Sequence, residues 1–354
     1  MNNIYYLKYQ KYKTKYLKLK ILEQNGGNND IIKFNSKKDI IKFNSKNDEY
    51  IIKFYSMLDN LIDKQCFNTN KYNFEKLYGQ FFINLYNNKN NESIDFKLFI
   101  EQYNKLCNKK FNIDHNISDY IVENIFVETL SIDNKYIYIF KINYLFKNKH
   151  MVTTIHSQLL KSNIIYKTSL SIENILLLYN ILGLNSGIFW GLLPQVYNLF
   201  INNNSMECFA SPFNHTLNNY YSLLDIDKQY GSQGNFFDNF MESKYTTYIM
   251  NPPFTSDIIL KIFDYIKNKL DVDKCCIYLY IPAWNDINDP FYDEIKKKYT
   301  IIKHNLIPSK SYVYNYIKEE RFIAKFETTI FLITNDYTDV QYNLYKKIIN
   351  IMTK

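Results

Sequence analysis

The sequence predicts an α/β fold with a mostly helical region before it, on three observations. All seven prolines lie between Pro194 and Pro308. Four apolar runs each end in proline: "MECFASP" (206–212), "TTYIMNPP" (246–253), "CCIYLYIP" (275–282) and "IIKHNLIP" (301–308). Helix-compatible stretches lie between them, such as "SDIILKIFDYIKNKL" (256–270) and "DPFYDEIKKKY" (289–299). Strands alternating with helices make a mostly parallel sheet covered on both faces. The prolines mark the carboxyl ends of the strands, so four loops converge on the edge where such sheets bind ligands. "ETTIFLIT" (327–334) is a last strand that closes the sheet, and 341–354 is a C-terminal helix.

The elements before that sheet read as follows. In "YYLKYQKYKTKYLKLK", Tyr5, Tyr9, Tyr12, Tyr16 and Leu19 recur at steps of four and three, which is one face of a helix with lysines elsewhere. It is a solvated basic helix or an arm for RNA or another anionic surface. A flexible "NGGNND" (25–30) leads into the tandem repeat "IIKFNSKKD" (31–39) and "IIKFNSKND" (40–48), too short for a solenoid. Residues 1–50 are therefore expected to be a basic, low-complexity appendage. Residues 51–185 are expected to form a mostly helical accessory domain, from apolar spacings such as Phe74, Leu77, Tyr78, Phe81, Phe82 and Leu85. The alternation in "KYIYIFKINYLF" (135–146) places strands within it. "SIENILLLYNILG" (171–183) is a helix with Ser171 to cap it, Glu173 in its first turn and Gly183 to stop it. The α/β domain then spans 186–340.

Composition removes several functions. The net charge of +8 is uneven: residues 1–20 hold six lysines and no acid, which leaves the rest of the chain at +2. The folded body is nearly neutral, so a basic groove must come from local arrangement. Heavy use of Lys, Asn, Ile and Tyr fits an AT-rich genome and is no evidence for nucleic-acid binding by itself. Five cysteines without a CxxC pair argue against a zinc site or a disulfide framework and for a reducing compartment. The five histidines lack ligand spacing, so no metal is expected. No apolar run reaches the roughly 18 residues of a membrane span, and the N-terminus lacks a signal-peptide core, so no membrane partner or secretion is expected.

"YIMNPPFTSD" (248–257) carries the chemistry. A central strand has no use for two prolines. Each proline fixes its own φ and pushes the preceding residue out of the helical region, so Asn251, Pro252 and Pro253 form a stiff, extended loop. The side-chain oxygen of Asn251 and the carbonyl of Pro252 are two rigid acceptors, which suit an exocyclic amino group. Phe254 supplies a flat face on which a base can stack, worth roughly 1–3 kcal/mol. The N6 amine of adenine is a poor nucleophile because its lone pair is delocalised. Accepting both N–H bonds localises that pair and stabilises the positive charge that develops on attack at a sulfonium methyl. As an ordinary chain feature, Asn-Pro is a turn former; its place after a strand and before a helix favours the catalytic reading.

Residues 207–334 resemble the methyltransferase core of the phosphorylated-CTD-interacting factor family, the cap-specific adenosine N6-methyltransferases. The resemblance rests on "ECFASPFN" (207–214), "YGSQGNFFDNF" (230–240), "NPPF" (251–254), "YIPAWND" (280–286), "LIPS" (306–309) with Tyr314, and "TTIFLITND" (328–336), six blocks in order. It implies a Rossmann-like core, S-adenosylmethionine as donor, RNA as substrate with the first transcribed adenosine of capped mRNA as the target, and contact with the transcription machinery. "CFASPFN" stands where the first-strand loop meets the cofactor, making Phe209, Ala210, Ser211, Pro212 and Asn214 candidates, although it has no GxG. Gly231, Ser232 and Gly234 of "GSQG" let backbone approach the cofactor, or else make a tight surface turn. Asn235 stands near the cofactor's adenine. Asp225 and Asp227 are ribose contacts or ordinary solvated acids. Pro282, Trp284, Pro308 and Tyr314 are the candidate substrate residues, with Trp284 either in the RNA-facing wall or in the core.

The chain departs from the family in two respects. No WW domain is recognised, and "SKSYVY" (309–314) lacks the acidic and histidine positions expected before the tyrosine, which puts cap dependence in question. The Tyr/Lys N-terminus resembles those of proteins from large DNA viruses of amoebae, which implies residence in the host cytoplasm. The alternatives are a DNA adenine methyltransferase, a protein glutamine methyltransferase, and a non-catalytic RNA- or cap-binding relative.

Overall fold

A computed structural model describes residues 35–40, 120–132, 135–160, 172–181, 190–201, 204–308, 312–315 and 320–354. The basic segment 1–20 and the helical spacings at 74–85 lie outside the described residues. Within the region read as mostly helical, 135–146 is the strand its alternation places there, and 120–132 and 149–160 are strands beside it. Strands β1 (Asn35–Ile40), β2 (Tyr120–Ile132), β3 (Lys135–Phe146) and β4 (Lys149–Leu160) form one antiparallel sheet in that order. The reason is a period of two. Ile125 pairs with Ile142 and Val127 with Phe140, and across β4 Phe140 pairs with Ile155 and Ile142 with Thr153. All of these are buried on one face. Lys147 and Asn148, with φ of 46° and 62°, close the β3–β4 hairpin as a two-residue turn whose twist matches the strands. Residues 35–40, part of the tandem repeat, are thus an edge strand of this sheet. The one described helix of this region, α1 (Ile172–Ile181), lies where the sequence places it.

The second sheet has six strands: β6 (Ser205–Cys208), β7 (Tyr220–Tyr221), β8 (Thr247–Met250), β9 (Cys276–Pro282), β10 (Thr300–Leu306) and β13 (Thr328–Thr334). Their spatial order is β10-β13-β9-β8-β6-β7. The pairs β7–β6, β6–β8 and β8–β9 are parallel, while β13 runs antiparallel to both neighbours. The last strand therefore does not close the sheet. It is inserted between β9 and β10, and β10 is the edge. β13 is buried at every position around its apolar centre Ile330–Ile333, so it belongs inside; β10 is exposed at Thr300, His304 and Asn305.

Helices cover both faces. On one side α3 (Phe236–Asn239), α4 (Ser256–Val272) and α5 (Asn285–Ile295) pack on Met206, Cys208, Tyr248, Met250, Ile277 and Leu279. The apolar stripe of α4, Ile258, Ile259, Ile262, Phe263, Ile266 and Leu270, has helical spacing, and Phe263 stacks on Phe291 of α5 with centroids 3.7 Å apart. On the other side α2 (Pro194–Asn198) and α6 (Asp339–Met352) pack on Ile249, Cys276, Tyr278, Tyr280, Ile330 and Leu332. Thr338 and Gln341 form a capping box that starts α6, slightly before the expected 341. A small third sheet joins β5 (Trp190–Gly191), β11 (Tyr312–Asn315) and β12 (Glu320–Ile323).

Candidate functional site

From β6 the chain steps to β7 on one side and then returns to β8 on the other. This reversal opens a crevice outside the carboxyl ends of β6 and β8, the position where open α/β sheets hold ligands. "FASPFN" leaves β6 on one wall and "NPPF" leaves β8 on the other.

Phe209, the first residue past β6, has φ of 67°. A left-handed conformation costs a bulky residue on the order of 1–3 kcal/mol and persists only where packing dictates it. Here the ring lies 4.3 Å from Phe236 and 5.9 Å from Phe237, centroid to centroid, and is buried. Packing thus enforces the sharp turn that a glycine would give freely. Ala210 donates its N–H to Tyr221, and Pro212 is buried. Asn214 closes the turn: its Oδ1 accepts from the N–H of Ser211 at 2.6 Å and from the Ser211 hydroxyl at 2.9 Å. The candidate polar side chains of this loop, Ser211 and Asn214, therefore hold the loop itself.

Glu207, inside β6, is a residue the sequence reading missed. It is 2% exposed, and its carboxylate accepts the N–H groups of Thr216 and Leu217, both at 2.8 Å. Burial pushes its pKa up to about 7, against the lowering effect of those bonds and of the Tyr197 hydroxyl. A buried acid one residue before a strand end was the available signal.

The "GSQGN" segment runs along β7. Gly231 and Gly234 have φ of 104° and 116°. A Cβ at Gly234 would meet Asn239 Nδ2 at 2.8 Å, so this position needs glycine for space as well as conformation. Ser232 is buried, and its hydroxyl reaches Ser222 Oγ at 3.0 Å. Asn235 caps α3 by accepting from Phe237 N–H and donates to the carbonyl of Leu223. Its side chain fixes the end of β7. Asp227 is fully buried and accepts the Tyr179 hydroxyl of α1 at 2.5 Å. It is not a solvated acid, and of Asp225 only the backbone, in the 3-10 turn 225–230, is described.

On the opposite wall Pro252 and Pro253 are buried, whereas Asn251 and Phe254 are half-buried. The carbonyl of Pro253 is taken by Thr255 N–H at 2.8 Å. Among the described residues no hydrogen bond to the carbonyl of Pro252 occurs. The Phe254 ring meets Phe326 edge to face at 5.4 Å. Phe326, in the turn before β13, was also missed, because antiparallel insertion of β13 is what brings its leading end to this edge.

Pro282 ends β9, buried, and its carbonyl accepts from Trp284 N–H and Asn288 Nδ2. Trp284 caps the start of α5 and is half-buried against the core on that face. Pro308 follows β10, and Tyr314 lies in β11, half-buried against the opposite core and paired with Gly191 and Arg321. The loop expected at 309–314 thus runs into a strand. Among the described residues, no group of three His, Cys, Asp or Glu side chains could hold a metal ion, and no helix is long and apolar enough to cross a membrane.

The fold is that of an α/β protein built on a mixed six-stranded sheet, with a strand-order reversal between β6 and β8. A family model described as "Phosphorylated CTD interacting factor 1 WW domain" matches residues 168–317, which supports a relation to that family. The span is less than half of the chain, yet it holds every candidate cofactor, catalytic and substrate residue predicted from the sequence. No curated protein matches the chain.

Proposed function

We propose that the chain is an S-adenosylmethionine-dependent adenine N6-methyltransferase acting on RNA, with a Rossmann-like core and the cap-adjacent adenosine of mRNA as its target. The observation that carries this is the place of "NPPF": directly after β8, across the switch-point crevice from the Phe209 turn. When bound, the cofactor supplies an electrophilic sulfonium methyl group. The residues present fit it: left-handed backbone at Phe209, after β6, and at Gly231, which is exposed, turns the chain sharply beside the crevice. The 209–214 and 231–235 segments would hold it, chiefly through backbone.

The chain's own residues do the rest. Asn251 and the Pro252 carbonyl accept the two N–H bonds of the target amine and localise its lone pair. Their rigidity matters, because acceptors already in place need no reorganisation as positive charge develops. Phe254, held by Phe326, stacks on the base. The relation to a family described as interacting with phosphorylated CTD supports a partner in the transcription machinery.

Transfer of labelled methyl to capped RNA, uncapped RNA and DNA, compared side by side, tests the reading. Asn251→Ala should lose about 10²–10³ in rate with cofactor affinity kept. Equal turnover by this variant refutes the role of Asn251; no transfer to any adenine refutes the enzyme.

A further inference from the structure

Arg321 is the only arginine in the chain, against 42 lysines. Where cations are nearly always lysine, a position filled by arginine asks for what lysine lacks, a planar fork of five donors that stacks on rings and grips acceptors in pairs. Arg321 shows the stacking: its guanidinium lies 3.7 Å from the centroid of the Tyr312 ring. Tyr312 precedes Tyr314 by two residues, and Tyr314 is directly across from Arg321 in the β11–β12 pair. All three share one face of the hairpin, because side chains alternate along a strand. Gly191, the partner of Tyr314 in β5, adds no side chain to the row. Arg321 is exposed, and among the described residues no carboxylate pairs with it. Five residues further on, Phe326 touches Phe254 of the "NPPF" loop. The hairpin thus leads straight into the wall of the crevice.

A guanidinium whose centre lies over a ring leaves N–H donors at its edge for a ligand. That suits a planar pair of acceptor oxygens with diffuse charge, as on phosphate. We infer that Arg321, oriented by Tyr312, clamps a phosphate of the RNA chain whose target base enters at Asn251–Phe254. This rests on the RNA reading of that crevice. A nucleic acid is favoured over an acidic peptide because the hairpin leads to Phe326 and Phe254 at the crevice, where a base beside the held phosphate can stack.

The test uses the full chain and a short labelled single-stranded RNA containing one adenosine. Its affinity is measured by anisotropy over a range of salt concentrations, beside calorimetric titration with S-adenosylmethionine. Arg321→Gln should weaken RNA binding roughly tenfold, from loss of one charge-assisted contact. The slope of log K against log salt should become shallower by about 0.7. Arg321→Lys should restore the slope but not the affinity. Tyr312→Leu should weaken binding while Tyr312→Phe does not, and cofactor affinity should be unchanged throughout. In turnover KM rises and kcat holds. An unchanged slope for Arg321→Gln overturns the clamp, as does full wild-type affinity for Arg321→Lys. So does an acidic peptide that binds in an Arg321-dependent way while RNA does not. An Arg321-dependent RNA affinity without any cofactor binding would keep the clamp and refute the methyltransferase reading instead.

Discussion

Replacing Glu207 by glutamine should change how stability depends on pH, by an amount the structure sets. The carboxyl sits inside β6, 2% exposed, under the turn that holds Ser211 and Asn214. Burial raises its pKa from 4.5 to about 7, despite two N–H donors at 2.8 Å. A carboxyl whose folded pKa is raised contributes stability that is fully present below pH 4.5, its unfolded value. That stability is lost as pH rises through about 7. At about 1.4 kcal/mol per pH unit over that window, the loss is about 3 kcal/mol. The amide of the Glu207→Gln variant is neutral at every pH, and its carbonyl can still accept from Thr216 and Leu217. Urea unfolding of both proteins at intervals from pH 4.5 to 8.5 isolates the effect, because all other titrating groups cancel in the difference. The wild type should lose about 3 kcal/mol relative to Glu207→Gln across the window, with most of the change between pH 5 and 7. A flat difference would refute the reasoning, and a rising one would mean that the N–H donors outweigh desolvation.

Three further outcomes are expected. Phe209→Gly should be more stable than Phe209→Ala by about 1 kcal/mol, since both lose the ring but only alanine keeps left-handed strain; thermal unfolding with the reverse order would exclude strain at this turn. Gly234→Ala should cost about 1–3 kcal/mol and displace Asn239, whose Nδ2 otherwise donates to the Asn235 carbonyl; a neutral substitution in chemical unfolding would contradict the close approach. Lys269→Met should cost about 3 kcal/mol, because this wholly buried ammonium donates to the carbonyls of Met241 and Ser243 and to Asp273; unchanged stability in urea would show that those carbonyls find other donors.

Much of the sheet was legible because its strands are bounded by prolines. Each apolar run ends where Pro252, Pro282 or Pro308 forbids another ladder bond, so the carboxyl edge could be read directly. The order of strands could not. "ETTIFLIT" reads the same whether it closes the sheet or is inserted antiparallel, since only the partners on either side differ. Phe326 and Arg321 were hidden for that reason: they gain their neighbours from the return path into β13. Strand 135–146 was legible from its alternation, whereas its neighbours 120–132 and 149–160 were not singled out, for another reason. Apolar residues dense enough to fill both faces of a strand also satisfy a step of three or four, and the alternation of buried Ile125 and Val127 with half-buried Phe126 and Glu128 is decisive only once a partner fixes the register. The polar candidates around the crevice were found by position, but their roles could not be. Asn214 and Asn235 spend their side chains on the turn and the helix cap that hold the walls in place.

The two walls obtain rigidity by opposite means. The loop after β8 is stiff because of its covalent structure: two pyrrolidine rings leave Asn251 and Pro252 little freedom in the folded or the unfolded chain. The loop after β6 is stiff only in the folded state, where the Phe236 and Phe237 rings hold Phe209 in a conformation it would otherwise leave. The consequence is an asymmetry in how the crevice opens. Weakening the α3 contact, by Phe236→Ala for example, relaxes the Phe209 wall and leaves the Asn-Pro-Pro wall intact. Under the proposed function cofactor affinity then falls first, while the geometry presented to the target amine survives. A loss of both together would mean that the walls are coupled through the sheet and not independently built.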